Sequence, residues 1–277
     1  MKRLIDGGAD VHQRQRPLNQ LLERGGSYLP RDVTALHHGS RLRNAAGIRA
    51  LLDYRGSDVD IADMASVRDS DGRLPLHWAT MGHERSTEDM LPKDEIAPRV
   101  VDTFKLLLEG KPGTIHSRIN LGRTALHYAV ACRGICCSVH SDLPTRFLCE
   151  NGADASRPEN DAKNVLHTLA LTSMNGDPIG PALLDLLLAH GANVNHLDKY
   201  GLTPLYYMAK NLRQVKTAKC LISRGADVSV KGPKGNTPLH AVTMHGRFYP
   251  LDGGRVKSEM PTLDNRIRVQ DEMIAGL

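Results

Sequence analysis

The sequence predicts an all-α solenoid of stacked helix–turn–helix repeats with short extended turns between the repeats. Two recurring phrases predict this class. A four-residue phrase ending in Leu and then His or Tyr occurs six times, and a Gly-Ala-Asp-like phrase, in most copies after a leucine-rich run, occurs five times. Self-similarity at a period of roughly 20 to 50 residues is the signature of stacked supersecondary units. The architecture is therefore better determined by the sequence than the function is.

The first phrase predicts where the first helix of each repeat begins. A Thr or Asn offers an N-cap oxygen, and Pro at the first helical position loses no hydrogen bond because its missing N–H would be unpaired there in any case. The six copies are Thr34–His37, Leu74–His77, Thr124–His127, Asn164–His167, Thr203–Tyr206 and Thr237–His240.

The second phrase predicts where the second helix of each repeat ends. Its glycine supplies the left-handed residue that terminates a helix. Between successive repeats, a stretch such as Val194–Gly201 suits an extended turn. The five copies are Gly8–Asp10, Gly56–Asp58, Gly152–Asp154, Gly191–Asn193 and Gly225–Asp227.

These motifs resemble the ankyrin repeat family, whose consensus carries Gly-x-Thr-Pro-Leu-His at the first helix and Leu-Leu-x-x-Gly-Ala-Asp at the end of the second. Residues Gly235–His240 and Leu221–Val228 carry the resemblance most closely, and it extends over nearly the whole chain. It implies an ankyrin-type solenoid.

The spacing departs from the family period of about 33 residues. The fourth residues of the phrase fall 40, 50, 40, 39 and 34 residues apart, so every interval but the last contains an insertion. We expect surface loops at Glu84–Pro98, Cys132–Leu143 and Thr172–Gly180, which are rich in Pro, Gly, Ser and Asp. Pro17–Arg31 has leucines at helical spacing, and we expect an extra short helix there.

We expect one repeat domain over residues 1–277, because a stack of repeats grows without a closed core. It comprises a partial repeat at 1–16, repeats starting near 31, 71, 121, 161, 200 and 234, and an incomplete last repeat. Leu4–Asp10 has the pattern of the tail of a repeat, and Leu263–Leu277 that of a second helix. We therefore hypothesise that the chain is a fragment of a longer protein.

Composition narrows the cellular setting. The sequence has no run of 18 apolar residues and no apolar core of a signal peptide near Met1, so we expect neither membrane insertion nor export. Five cysteines, an odd number, indicate reduced thiols in the cytoplasm or nucleus and no disulfides.

The net charge of +5 is unevenly distributed. Residues 199–257 hold eleven Lys or Arg against two Asp, a balance of +9, whereas residues 61–198 balance at −5. The basic segment is either a solvated face or a surface that attracts an acidic protein segment. Three Phe and one Trp in the whole chain disfavour a nucleic-acid-binding specialist.

The histidines of the first phrase are His37, His77, His127, His167 and His240. A catalytic base is needed once, whereas these recur once per repeat, and in the ankyrin family this residue bonds the backbone of neighbouring turns. We therefore predict a structural role. Tyr206 takes the place of the sixth histidine and must make different contacts at that position. The next positions, Trp78, Tyr128 and Tyr207, are expected to pack.

Cys132, Cys136, Cys137 and His140, with Cys149 nearby, have the residue types of a zinc site. Adjacent cysteines rarely point the same way, however, and free cysteine is a common small apolar residue. We favour packing thiols and predict no metal. Phosphate-loop and hydrolase motifs are incomplete or missing from the sequence, so we predict no cofactor, no catalytic residue and no enzymatic activity.

By resemblance, the turns and first helices form a concave strip that holds partner proteins. The sequence therefore predicts a non-catalytic interaction scaffold that binds a protein partner through this concave face. The alternative is an ankyrin regulatory segment of a larger multidomain enzyme or receptor. The positions carried over as partner-binding are Asp71, Arg73, Met81, Asn120, Leu121, Arg123, Asp161, Lys163, Lys199, Tyr200, Leu202, Lys210, Asn211, Lys234 and Asn236.

Overall fold

The computed structural model describes residues 13–14, 31–53, 64–81, 93–131, 142–172, 179–245 and 263–277. These segments contain twelve α-helices and no β-strand. The chain divides into two compact units, residues 1–129 and residues 130–277. The single-domain organisation expected from the sequence stays a prediction. Nearly all of the partial first repeat and of Pro17–Arg31 lies outside the described residues, as does the cluster Cys132–His140.

The first unit consists of helix pairs whose first helices begin at the recurring phrase. The phrase predicts a start at Ala35 and at Pro75, and helices begin at both residues. α1 packs on α2 and α3, and α4 packs on α2 and α3. The core includes Leu36, Leu76 and Phe104. The helices are α1 (Ala35–Arg41), α2 (Ala45–Leu52), α3 (Pro75–Met81), α4 (Lys93–Gly110) and α5 (Ala125–Ala131), with a 3₁₀ turn at Pro112–His116 between the last two; the division between the units lies within α5.

The expected loop Glu84–Pro98 is wrong in its last six residues, because α4 begins at Lys93. Ile96 and Ala97 are buried and continue the apolar pattern of Val100 and Phe104 towards the N-terminus. Pro98 is the sixth residue of the helix, so one backbone hydrogen bond is missing there, and the helix nevertheless continues through it. The proline therefore does not mark the helix boundary.

The second unit repeats the same arrangement. α7 packs on α9 and α9 on α11, while α8 packs on α6 and α10. Leu166, Leu184 and Leu205 are among its buried side chains. The predicted second helix within Leu263–Leu277 is confirmed. The helices are α6 (Leu143–Glu150), α7 (Val165–Thr172), α8 (Pro181–Ala189), α9 (Pro204–Ala209), α10 (Val215–Ser223), α11 (Pro238–His245) and α12 (Leu263–Ile274), with a 3₁₀ turn at Leu212–Gln214.

The glycines of the second phrase end the second helices, as predicted. Gly152, Gly191 and Gly225 have φ of +91°, +97° and +89°. After each, the alanine N–H reaches back to a carbonyl of the helix, as Ala192 does to Leu187 at 3.0 Å. The glycine N–H bonds one residue further along, which is the paired arrangement of a Schellman motif.

The recurring histidines are structural, as predicted. In the first unit, His77 Nδ1 accepts a hydrogen bond from the Leu74 N–H at 3.1 Å, and Nε2 lies 3.2 Å from the Ser117 carbonyl of the next repeat. His37 and His167 do the same with the carbonyls of Arg73 and Leu202. Because Nδ1 accepts, Nε2 carries the proton and donates it. Each of these neutral rings joins its own helix start to the following turn.

Burial lowers the pKa of these three histidines, to about 4 for His37 and His167 and about 3 for His77. His240 makes the same Nδ1 contact with Thr237, but its side chain is exposed. At the sixth position Tyr206 is buried, and its N–H donates to Thr203 Oγ1 at 3.3 Å. Where the imidazole is missing, the Thr203 hydroxyl therefore accepts a backbone N–H of the helix start.

Candidate partner-binding surface

Buried aspartates fix two of the turns that carry predicted partner residues. In the second unit, Asp198 Oδ1 accepts from the backbone N–H groups of Tyr200 (2.8 Å) and Leu202 (3.0 Å). Its Oδ2 accepts from the Tyr207 hydroxyl at 2.6 Å. Burial is the main cause of the raised pKa of Tyr207, and this hydrogen bond is the second. Gly201, at φ +69°, gives the turn its left-handed residue. Tyr200 is thus presented by a turn with a fixed backbone.

Neighbouring turns of the second unit lie side by side. The Lys199 N–H donates to the Asp161 carbonyl at 2.9 Å, which joins the turn of one repeat to the turn of the next. On the other side, the Leu202 side chain lies so close to Gly232 that a Cβ there would be 2.6 Å from Leu202 Cδ2. Three consecutive turns are therefore held in register.

Side chains on the first two of these turns form a charged cluster around one aromatic ring. Lys199 Nζ and Lys163 Nζ donate to the two oxygens of Asp161 at 2.7 and 3.2 Å. The same ammonium groups lie 5.0 and 5.9 Å from the ring centroid of Tyr200, which is 50% exposed. We name Asp161, Lys163, Lys199, Tyr200 and Leu202 the Tyr200 surface.

The electrostatics of the Tyr200 surface follow from these contacts. Hydrogen bonds from Lys199 and then Lys163 lower the pKa of Asp161, and the bond to Asp161 raises the pKa of Lys199. Lys163 also lies 3.7 Å from Glu159, and its side chain is only 13% exposed. Asp161, Lys199 and Tyr200 are therefore the groups of this surface that are most exposed to solvent.

The end of α9 contributes Lys210 but not Asn211. Lys210 Nζ lies 5.5 Å from the ring centroid of Tyr206. Asn211 is 1% exposed, so the expectation that it is available to a partner is wrong. The reason is that α9 ends at Ala209 and the chain continues directly into the 3₁₀ turn Leu212–Gln214, whose Gln214 N–H bonds the Asn211 carbonyl. A first helix of only six residues leaves no exposed end at that position.

On the third turn, Lys234 is exposed and Asn236 is partly buried. The Gly232 N–H bonds the Asn236 carbonyl at 2.9 Å, which closes this turn. The second unit therefore brings the predicted residues of three repeats onto adjacent turns.

The first unit presents a second group of predicted residues. Asp71 and Arg73 form an ion pair with each other, and both side chains are largely buried. The Asn120 N–H donates to the Asp71 carbonyl at 2.9 Å, and its amide donates to the Ser70 carbonyl at 3.0 Å. Leu121 is 59% exposed, whereas Arg123 and Met81 are partly buried. Asp71, Arg73 and Asn120 thus contribute mainly to joining the turns.

Sequence reasoning missed the carboxylates that organise the turns. Asp69 mirrors Asp198: its Oδ1 accepts from the Arg73 N–H at 2.8 Å and its Oδ2 from Trp78 Nε1 at 2.9 Å. In both repeats the aspartate stands three residues before the turn glycine and nine before the aromatic residue of the first helix. That shared spacing was a usable signal. Trp78 and Tyr207 thus do more than pack, because each donates a hydrogen bond to the aspartate of its own turn.

The sequence and fold have known counterparts. Residues 135–232 and 169–249 match the family described as ankyrin repeats in three copies. The ankyrin repeat protein FPV233 of fowlpox virus is 42% identical over 60 residues, which is 21% of this chain and 12% of that protein. A second fowlpox protein, FPV230, is 26% identical over 209 residues, covering 65% of this chain and 97% of its own length.

A solved structure agrees with the fold. The crystal structure of an ankyrin repeat domain from Acinetobacter baumannii AYE aligns with a TM-score of 0.56 at 16% identity, covering 87% of this chain and 96% of that one. The predicted all-α ankyrin-type class is confirmed. Residues 135–249 match the ankyrin repeat family, and the fold is that of an ankyrin repeat domain. Ankyrin repeats are in general protein–protein interaction modules. In the described parts of the chain, no helix is long and apolar enough to cross a membrane.

Proposed function

We propose that this chain is a non-catalytic interaction module that binds a protein partner through the Tyr200 surface. One observation carries the proposal: a half-exposed tyrosine ring with two lysine ammonium groups within 6 Å of its centroid, on turns held in register by backbone hydrogen bonds. Tyrosine is enriched among residues that dominate interface energies. A fixed backbone limits the ordering entropy that binding costs.

The charge of this region supports an acidic partner. Eleven Lys or Arg against two Asp in residues 199–257 favour encounter with anionic surfaces. Lys210 and Lys234 follow Lys199 within this segment, and Lys234 lies on the turn beside Leu202. A protein segment fits better than nucleic acid, because a row of aromatic rings for base stacking is missing from the turns of the second unit that the structure describes.

Affinity capture with matched variants tests the proposal. The bait is the intact chain, compared with the double variant Lys199→Ala/Tyr200→Ala. The control is Lys216→Ala/Ile267→Ala, which removes an exposed lysine and an exposed apolar residue from α10 and α12. We expect partners that the first variant loses and the control retains. Equal recovery of every partner by all three baits contradicts the proposal.

A second candidate is a regulatory segment of a larger protein. The part of the chain that matches FPV233 spans only about an eighth of that protein, 12% of its length, so these repeats occur in proteins with much additional sequence. The complete transcript of the source gene tests this candidate. An open reading frame that continues into a catalytic or receptor domain supports it, and one that contains repeats alone contradicts it.

A further inference from the structure

We propose that the Asp161 carboxylate occupies the place where an acidic side chain of the partner binds, so that Asp161 is a built-in competitor for the Tyr200 surface. This inference rests on the proposed function and names the ligand: a carboxylate-bearing extended peptide. Such a peptide binds by taking over the two lysine contacts that Asp161 makes in the free protein.

The geometry identifies the contested place. Asp161 spans the two ammonium groups, with Lys199 Nζ at 2.7 Å from one oxygen and Lys163 Nζ at 3.2 Å from the other. The neighbouring Glu159 is buried against Lys163 at 3.7 Å, and Asp198 is bonded to the turn and to Tyr207. Among these acidic groups, Asp161 alone is both solvent-exposed and bonded to two lysines.

The contact is suited to exchange. The side chains of Asp161 and Lys199 are each 44% exposed, and exposed ion pairs of this kind contribute little net stability because water and salt screen them. The backbone link between Lys199 N–H and the Asp161 carbonyl does not involve the carboxylate. A partner carboxylate can therefore replace that of Asp161 while the two turns stay joined.

The adjacent turns define the spacing of the ligand. Packed helices of successive repeats lie about 8–10 Å apart. An extended peptide advances about 3.1–3.3 Å per residue, so it crosses from one turn to the next in about three residues. Leu202 packs at Gly232, and the exposed Lys234 lies on that next turn. A peptide with a Glu at every third position would meet Lys199 and then Lys234, with apolar side chains beside Tyr200.

The experiment measures binding of a fluorescein-labelled nine-residue peptide, three repeats of Glu-Leu-Ser, to the intact chain by fluorescence anisotropy. The same peptide with Gln for Glu, and a ten-nucleotide oligo-dT, are the comparison probes. The key variant is Asp161→Asn. The matched control is Asp185→Asn, which removes the same charge from a surface pair with Arg224 (Nη2 to Oδ2, 2.8 Å) on the second helices.

We expect Asp161→Asn to tighten Glu-peptide binding about three- to fivefold, the size of one weak surface pair, and Asp185→Asn to change it less than about 1.5-fold. The gain should shrink in 0.5 M salt, because the Debye length falls to about 4 Å there. Unchanged or weaker binding by Asp161→Asn, or equal gains from both variants, overturns the inference. Equal gains for the Gln peptide or tighter binding of oligo-dT also overturn it.

This experiment distinguishes an error in the proposed binding surface from an error in the proposed competitor role. If Lys199→Ala/Tyr200→Ala weakens peptide binding while Asp161→Asn has no effect, the Tyr200 surface is a binding site and the competitor role is wrong. If Lys199→Ala/Tyr200→Ala leaves peptide binding unchanged, both the surface and the competitor role are wrong.

Discussion

Mild acid should destabilise the first unit through its buried histidines. The pKa of His37 is lowered to about 4 and that of His77 to about 3, each from 6.5. The unfolded chain therefore binds protons below pH 6.5 that the folded unit binds only near pH 4 and pH 3. Stability is fully present above pH 6.5 and is lost as the pH falls towards those values.

The structure explains why His77 is protonated less readily in the folded state than in the unfolded chain. His77 Nδ1 faces the Leu74 N–H at 3.1 Å, so a protonated Nδ1 would set two donors against each other in a fully buried site. Between pH 7 and pH 5, proton linkage gives about 2 kcal/mol of lost unfolding free energy for each histidine, or about 4 kcal/mol for the two. Ordinary carboxylates stay ionised over this window, so it isolates the histidines.

Urea unfolding followed by tryptophan fluorescence is the assay. The chain has one tryptophan, Trp78, which is buried in this unit with its ring 5.7 Å from that of His37. The variant His77→Gln should make the loss between pH 7 and pH 5 smaller by about 2 kcal/mol. Its control, His116→Gln, replaces an exposed histidine of the same unit and should leave the loss unchanged. Equal stability at the two pH values, or no effect of His77→Gln on the difference, would refute the reasoning.

Three further substitutions test the turns, each by urea unfolding. Gly72→Ala should lower the free energy of unfolding by about 3 kcal/mol, because Gly72 has φ +76° and a Cβ would lie 2.5 Å from Asn120 Oδ1. Gly235→Ala, at φ +72° in open space, should lower it by only about 1–2 kcal/mol. Similar losses for the two variants would contradict this account. Asp198→Ala should cost about 2–3 kcal/mol, since it leaves two turn N–H groups and a hydroxyl without their acceptor; a loss under 0.5 kcal/mol would show the carboxylate to be dispensable. Tyr200→Ala should change stability by less than about 0.5 kcal/mol, as its ring is half-exposed, so a larger loss would assign Tyr200 to the fold rather than to binding.

Much of the fold could be predicted because the repeated phrases combine helix caps with apolar spacing. The starts at Pro75 and Pro204 and the left-handed glycines after α6, α8 and α10 follow directly from those residue types. The start of α4 did not, because proline usually marks a helix boundary, whereas the burial of Ile96 and Ala97 extends this helix past Pro98 towards the N-terminus.

The candidate site was less predictable than the fold. Family position placed Asn211 at the surface, but the length of α9 decides its exposure, and length depends on where the following 3₁₀ turn packs. The role of Asp198 depends on side-chain bonds to a turn backbone, and its trace in the sequence is only the spacing that it shares with Asp69. Recurrence shows which residues build a repeat, whereas the residues that differ between repeats, such as Tyr200, need coordinates to be placed.

The histidine links have a consequence for how the surface can diversify. His37 and His167 donate to the carbonyls of Arg73 and Leu202, two positions of the predicted partner surface with unrelated side chains. Every amino acid has the same backbone carbonyl, so the histidine bond between repeats does not depend on which side chain stands at that position. Substitution at these two positions therefore leaves the histidine links intact, although it removes the ion pair of Arg73 with Asp71 or the packing of Leu202 at Gly232.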